Sequence, residues 1–206
     1  MKINFITHDI GMYGASRSLS LLVESLCENN CVQYEDLSLV YPRSLRKNPN
    51  ISMKSLHEIP NKYSVFLPFS RIYKGASFTP REKCTMHLKG QFSRLFRSLG
   101  KILIVENPDF VHLNSITLWP VLEQINQSYK TIIHVREIID LENMCRRLRD
   151  RLHASLRTCK LILCIDENSA IPLKKMNLSP VILRFLAFLM SKGFLRITGE
   201  RFIFFK

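Results

Sequence analysis

The chain has 206 residues, 46% of them hydrophobic, and its 30 lysines and arginines exceed its 17 acidic residues by 13. That apolar share excludes a chain disordered by composition, and the length fits one ordinary α/β domain or one domain with an appendage. The basic excess points to phosphate-bearing partners (a nucleotide, a nucleic acid or an anionic membrane surface) without choosing among them.

The run Lys2-Ile3-Asn4-Phe5-Ile6-Thr7 is short, apolar and β-branched, and predicts a buried strand. A loop with two glycines follows, His8-Asp9-Ile10-Gly11-Met12-Tyr13-Gly14-Ala15-Ser16, and then Leu19, Leu22, Val23 and Leu26 fall at helical spacing. Tyr34 to Tyr41 predicts a second strand with Leu37, Leu39 and Tyr41 alternating, ended by Pro42. Residues 42–80 carry five prolines and a basic cluster, and read as long loops around one short strand near Ser64 to Leu67. Leu88, Phe92, Leu95, Phe96, Leu99, Ile102 and Leu103 predict a long helix, stopped by Asn107-Pro108.

Asp109 to Asn114 predicts a strand, followed by a helix over about Thr117 to Gln127 with Pro120 in its first turn. Lys130 to Val135 is the next strand, and Leu141, Met144, Leu148, Leu152 and Leu156 line one face of the helix after it. Lys160 to Ile165 is a further strand, leading through Asp166-Glu167-Asn168-Ser169 into a short helix that ends near Met176. The alternation predicts an α/β fold, a Rossmann-like open parallel sheet with helices on both faces. Residues 1–178 form that domain, and 179–206 read as an apolar and basic C-terminal tail.

The six cysteines form no CxxC pair and no zinc-like spacing with histidine, so they read as reduced core residues of a cytoplasmic protein. The start of the chain does not read as a signal peptide, because its apolar run is short and polar residues follow at once. No stretch of about twenty uncharged apolar residues occurs, so no spanning helix is expected.

Open α/β sheets bind ligands at the carboxyl ends of their strands, and the candidate residues collect there. Gly11, Gly14, Ala15, Ser16 and Arg17 would bring backbone N–H groups and one charge to a phosphate at a helix N-terminus, although the same residues also fit a plain β-to-α turn. The spacing is not the G-x-G-x-x-G dinucleotide fingerprint. His134, Arg136 and Glu137 follow a later strand; a buried histidine beside a local Arg136–Glu137 ion pair is the competing reading. His8 and Asp9 share that edge as acceptor-side candidates or as an exposed histidine and a turn-capping aspartate. His112, with Asn114 and Ser115, reads as a core histidine, and Asp166, Glu167 and Asn168 as a helix cap. Nothing local brings His8, His112 and His134 together as metal ligands, so neither metal nor cofactor is expected. Arg146, Arg147, Arg149, Arg151 and Arg157 form a solvated helix face or a membrane-surface patch, to which the tail could add apolar anchoring. Nucleic acid binding has charge in its favour but no recognised module.

Four stretches carry a resemblance: Ile3 to Leu19, Asn-Pro-Asp-Phe-Val-His-Leu-Asn-Ser (107–115), Ile-Ile-His-Val-Arg-Glu (132–137) and Cys-Ile-Asp-Glu-Asn-Ser-Ala (164–170). Over residues 1–178 the chain resembles the N-terminal, acceptor-side domain of family-4-type glycosyltransferases of the GT-B fold. The resemblance implies a two-lobed enzyme that transfers sugar from a nucleotide-sugar donor to a polysaccharide or glycolipid acceptor. His134 matches a position that faces the donor sugar in that family. The family's second lobe binds the donor and supplies a spaced pair of glutamates; this sequence has no such pair and almost no chain after residue 180. It therefore resembles a detached acceptor half, inactive alone or dependent on a partner subunit that supplies the donor-binding half. A non-catalytic binding module for an anionic ligand or membrane surface is the alternative.

Overall fold

The computed structural model describes residues 1–11, 14–43, 51, 53–65, 67, 72, 107–125, 129–182, 195–198 and 201–204. In chain order the main elements are β1 (Ile3–Ile6), α1 (Ala15–Glu28), β2 (Leu37–Pro42), α2 (Lys54–Glu58), β3 (Asn61–Val65), β4 (Phe110–Leu113), α3 (Trp119–Leu122), β5 (Lys130–Val135), α4 (Arg146–Arg157), β6 (Leu161–Cys164), α5 (Glu167–Lys175) and β7 (Val181–Ile182). These seven strands form one parallel sheet in the order β3-β2-β1-β4-β5-β6-β7. Two more, β8 (Leu195–Thr198) and β9 (Arg201–Phe204), pair antiparallel with each other.

Parallel strands covered on both faces bury successive side chains instead of alternating. Hence all of β1 is buried, and Leu37 to Val40 of β2 are buried in a row where the sequence suggested alternation. Ile3, Phe5, Leu37 and Leu39 pack with Leu19, Val23 and Leu26 of α1 and with Leu56 of α2 on one face. Ile6, Val40, Val111, Leu113, Ile133 and Val135 pack with Trp119, Leu152, Leu156 and Leu173 on the other. This is the Rossmann-like architecture with helices on both faces that the alternation of elements predicted.

Three local differences have physical reasons. Residues 42–80 were expected to be loops around one strand, yet they also hold α2, whose five residues offer too few apolar positions to show a period. Tertiary packing holds it: Ser55 and Leu56 are buried, and Ser55 Oγ lies 2.5 Å from Ser20 Oγ of α1. The helix expected over Thr117 to Gln127 is a short 3₁₀ turn, Ile116–Leu118, running into the four residues of α3. Ser115 opens it by accepting the Thr117 N–H at 3.1 Å. The helix expected from Leu141 begins only at Arg146. Asp140 accepts from the Asn143 N–H at 3.3 Å and from Asn143 Nδ2 at 2.8 Å, and Arg149 Nη2 donates to the Leu141 carbonyl at 2.7 Å, so side chains claim backbone groups a helix would use. The long helix expected over residues 88–103 lies outside the described residues.

Among the described residues no helix is long and apolar enough to cross a membrane, and Cys27, Cys31, Cys145, Cys159 and Cys164 are free thiols. Burial pushes the Cys159 and Cys164 thiols up to about 12, as expected of inert core residues, whereas Cys145 is exposed.

The start of α5 is a capping box: Asp166 Oδ1 accepts the Ser169 N–H at 2.8 Å, while the Asp166 N–H meets Ser169 Oγ at 3.3 Å. Replacing Asp166 with Ala is expected to lower unfolding free energy by about 1 kcal/mol, read as a shifted urea midpoint at unchanged slope.

Candidate functional site

β1 delivers its last residues to the carboxyl edge of the sheet between β2 and β4, where the order of the strands reverses. Open α/β sheets have their ligand crevice at that place. Thr7 is buried there and its Oγ1 donates to the Asp9 carbonyl at 2.7 Å. The Asp9 carboxylate accepts from the Gly11 N–H at 3.0 Å through Oδ1 and from Ser16 Oγ at 3.0 Å through Oδ2. Asp9 thus closes the turn and ties it to the first turn of α1. Gly14 precedes α1 with φ +63°, a conformation that side chains with a Cβ rarely adopt. Among the described residues no atom beyond its chain neighbours lies within 4 Å of where its Cβ would stand, so backbone conformation rather than space calls for glycine.

The centre of the edge is Asn114, fully buried at the end of β4. Its backbone N–H donates to the Ile6 carbonyl at 2.9 Å. Its side-chain Nδ2 donates to the Ala15 carbonyl at 2.8 Å and to Thr7 Oγ1 at 3.3 Å, and its Oδ1 accepts from Arg136 Nη2 at 2.8 Å. One amide therefore joins the β1 exit, the first residue of α1 and the exit of β5. The same Arg136 Nη2 lies 3.0 Å from His134 Nδ1. A guanidinium can only donate, so Nδ1 accepts and the neutral His134 ring carries its proton on Nε2. Among the described residues that buried Nε2 has no hydrogen-bond partner, nor has Arg136 Nε.

Edge-on rings continue from His134 across the sheet: His134 to His112 at 6.0 Å between centroids, His112 to Phe5 at 5.3 Å. His112 is 3% exposed and His134 5%. Burial, with the Arg136 charge second, depresses His112 to about 3 and His134 to about 2, so both rings stay neutral. Burial lowers Arg136 to about 10, against a smaller opposing effect of Glu137.

The sequence reading offered an Arg136–Glu137 ion pair; the geometry replaces it. Glu137 accepts from Ser115 Oγ at 2.6 Å through Oε1 and from the backbone N–H of Arg136 at 3.2 Å through Oε2, while the guanidinium turns to Asn114 and His134. Of the remaining candidates, Gly11, Ala15, Ser16, Arg136, Glu137 and Asp9 join one bonded network with Asn114 and Ser115, and His8 leaves β1 half-buried beside it. Arg17 is exposed on α1 and takes no part in these bonds. Asp166 and Ser169 cap α5. Asn114 and Ser115 were set aside with the core reading of His112. The signal was an amide and a hydroxyl directly after an apolar strand, the position from which a side chain reaches the carboxyl edge.

Among the described residues no three His, Cys, Asp or Glu side chains assemble as metal ligands. A shallow hollow of about 470 Å³ lies elsewhere, lined by Leu122, Glu123, Ile125, Arg151, Ser155 and Thr158. Arg151 spans it, bonding Glu123 at 2.6 and 2.9 Å and lying 5.5 Å above the Trp119 ring. It holds a paired surface charge and no convergent titratable groups, so the strand tips remain the candidate site.

No protein-family model matches the chain, and no curated protein matches it in sequence. Among solved structures, the complex of Arabidopsis thaliana UGT89C1 with UDP is similar at a TM-score of 0.52 and 14% identity, over 86% of this chain and 46% of that one. A sucrose-phosphate synthase from Thermosynechococcus elongatus aligns over 94% of this chain and 96% of that one, at 12% identity and a TM-score of 0.45. Both neighbours are GT-B glycosyltransferases. The likeness to UGT89C1 shows the fold, a Rossmann-like α/β domain of the GT-B type, and the chain spans about half the length of that protein.

The two buried histidines make stability depend on acid. Their folded pKa values lie below the unfolded 6.5, so stability is flat above that pH and falls below it, as the unfolded chain takes up protons the folded one refuses. Near pH 5 the two together should contribute a slope of about 3 kcal/mol per pH unit. Urea titrations from pH 7.5 to 5 measure it, and His112→Phe should remove half.

Proposed function

We propose that this chain is the acceptor-side lobe of a family-4-type glycosyltransferase, acting in the synthesis of a surface polysaccharide or glycolipid. The observation that carries the reading is the bonded network at the strand reversal, where Asn114 gathers the glycine loop, β4 and the Arg136 side chain. The UDP held by the neighbouring UGT89C1 structure supports a nucleotide-sugar as donor. In the reaction the acceptor hydroxyl attacks the anomeric carbon, the bond from that carbon to the diphosphate oxygen breaks, and the diphosphate departs with the bonding electron pair and its negative charge and takes up the proton the hydroxyl loses. Backbone N–H groups at the start of α1 and the Arg136 guanidinium stabilise that charge as it develops, with no metal required. His134 is the histidine that the resemblance sets opposite the donor sugar, and its ring lies buried behind Arg136. Asp9, engaged by Gly11 and Ser16, acts on the acceptor side by holding the loop that carries His8.

Residues 1–178 supply this lobe, with 179–206 as the approach to a linker, and a donor-binding lobe closes the cleft from another chain or a further segment. The isolated chain is then inactive. Purified chain given labelled nucleotide sugars and a glycan or glycolipid acceptor should transfer nothing alone and should transfer when the donor lobe is added. Arg136→Ala in the pair should lower kcat about 100-fold. Transfer absent from the reconstituted pair would reject the enzyme and favour a module that binds an anionic ligand.

The exposed face of α4 supports a cytoplasmic protein held peripherally at an anionic membrane. Arg149 and Arg151 are bound to the Leu141 carbonyl and to Glu123, while Arg146, 3.9 Å from Asp150, and Arg147 and Arg157 stand exposed at the surface. Each contributes about 1 kcal/mol near an anionic leaflet. Flotation with phosphatidylserine vesicles should carry the protein up at low salt and release it at high salt, and the triple Gln variant should stay behind; a protein that remains at the bottom at low salt has no such patch.

A further inference from the structure

We propose that the amino edge of the β5–β6 half of the sheet is the surface that docks on an anionic lipid leaflet, with the crevice at the opposite edge opening away from the bilayer. Lys130 opens β5 and Lys160 immediately precedes β6, and the Lys160 N–H donates to the Thr131 carbonyl at 2.8 Å, which sets Lys160 beside the start of β5. α4 and α5 cover the same face of the sheet through Leu152, Leu156, Ala170 and Leu173. Both run from its carboxyl edge to its amino edge, α4 ending on Arg157 and α5 on Lys174 and Lys175. Arg157, Lys160 and Lys175 are exposed. Lys130 lies 5.7 Å over the Phe110 ring, and Lys174 pairs with Glu167 at 3.1 Å. Asp109, which borders this cluster at the start of β4, accepts the Lys2 backbone N–H at 2.9 Å.

The carboxylates of this half lie at the other end. Between Tyr129 and Ile182 they are Glu137, Asp140, Glu142, Asp150, Asp166 and Glu167, and each sits in a loop beyond a strand or in the first half of a helix. They share that end with Arg136, Arg146, Arg147 and Arg149, whereas no carboxylate of the stretch stands at the amino edge. Helix macrodipoles draw bases to helix C-termini, which accounts for Arg157 and Lys175 but not for Lys130 and Lys160, which stand where strands begin. The two edges are about 20 Å apart, the length of a six-residue strand such as β5, and about twice the screening length in physiological salt. A negative leaflet therefore acts on the nearer edge, and the amino edge is the one it attracts. Among the described residues this edge is a rim of strand starts and helix ends, with no protruding element to enter a nucleic-acid groove. Its aromatic residues Phe110 and Tyr129 pack against the core instead of offering stacking faces, so a flat anionic surface is the partner it fits.

The inference rests on the reading of a peripheral protein at an anionic membrane and adds to it which end makes contact. Under the sugar-transfer reading it also makes the acceptor a glycan end presented from water, not a head group lying in the leaflet. The full chain is mixed with vesicles of phosphatidylserine in phosphatidylcholine at low salt and separated by flotation. Lys160→Gln/Lys175→Gln should weaken binding about 30-fold, as expected for two bases near a leaflet. Arg146→Gln/Arg147→Gln, which removes the same charge from the other end of α4, should weaken it less. On the bound wild-type chain, acetylation of Lys160 and Lys175 should slow, while maleimide labelling of Cys145, the exposed thiol that precedes α4 at the carboxyl edge, keeps its rate. Both are read by peptide mass and depend on no variant folding. A loss in the arginine pair equal to or larger than in the lysine pair, or a Cys145 protected on vesicles while the two lysines are not, overturns the proposal and leaves the membrane reading standing. A wild-type chain that does not float overturns both, and an RNA oligonucleotide bound through Lys160 and Lys175 then assigns the cluster to nucleic acid. Vesicle binding of the expected pattern with no transfer from the reconstituted pair rejects sugar transfer alone.

Discussion

Everything at the carboxyl edge depends on a single buried primary amide. Asn114 offers two donors and one acceptor to three different segments, meeting the Ala15 carbonyl, the Thr7 hydroxyl and a nitrogen of Arg136, and its own fully buried amide would be stranded without them. A buried polar group without a partner costs more than a formed hydrogen bond returns, so the arrangement is fixed more by what its loss would strand than by the strength of any one bond. The glycine loop and the β5 exit are distant in sequence, and this amide makes them a single surface.

The rings beneath that surface complete the electrostatics. Because Arg136 can only donate, its contact with Nδ1 requires a neutral His134, and burial supplies the neutrality. His112, edge-on to both Phe5 and His134, makes the floor apolar enough to hold that state. Both rings thus stay neutral beside the guanidinium, and Asn114 and His134 fix its direction.

Much of this was legible in the residues, and the illegible parts share a cause. β5 appears over the six residues the alternation marked, and β1, β4 and β6 fall within theirs, because buried parallel strands leave compact β-branched runs bounded by polar residues. The Asp166 cap was equally local, since a capping box is written in four consecutive residues. α2 escaped because its stability comes from α1 through Ser55 and Leu56, which no period within five residues reveals. Asn114 was grouped with the core for a similar reason: its partners lie 99 and 107 residues earlier and 22 later. The Arg136–Glu137 pairing failed because adjacency in sequence says little about which way two long side chains turn; Ser115 draws the carboxylate off.

The central place of β1 carries a consequence for how the chain is made. Its register sets Ile3 beside Leu37 on one side but beside Phe110 on the other. During synthesis the first strand can gain its β2 neighbour early, yet its second flank stays open until Phe110 and the rest of β4 have left the ribosome. Closing so large a loop is slow, and an unpaired apolar strand edge is what invites association with other nascent chains. The same placement that puts the glycine loop at the middle of the crevice therefore makes the N-terminal strand the part of the molecule most in need of protection before folding ends.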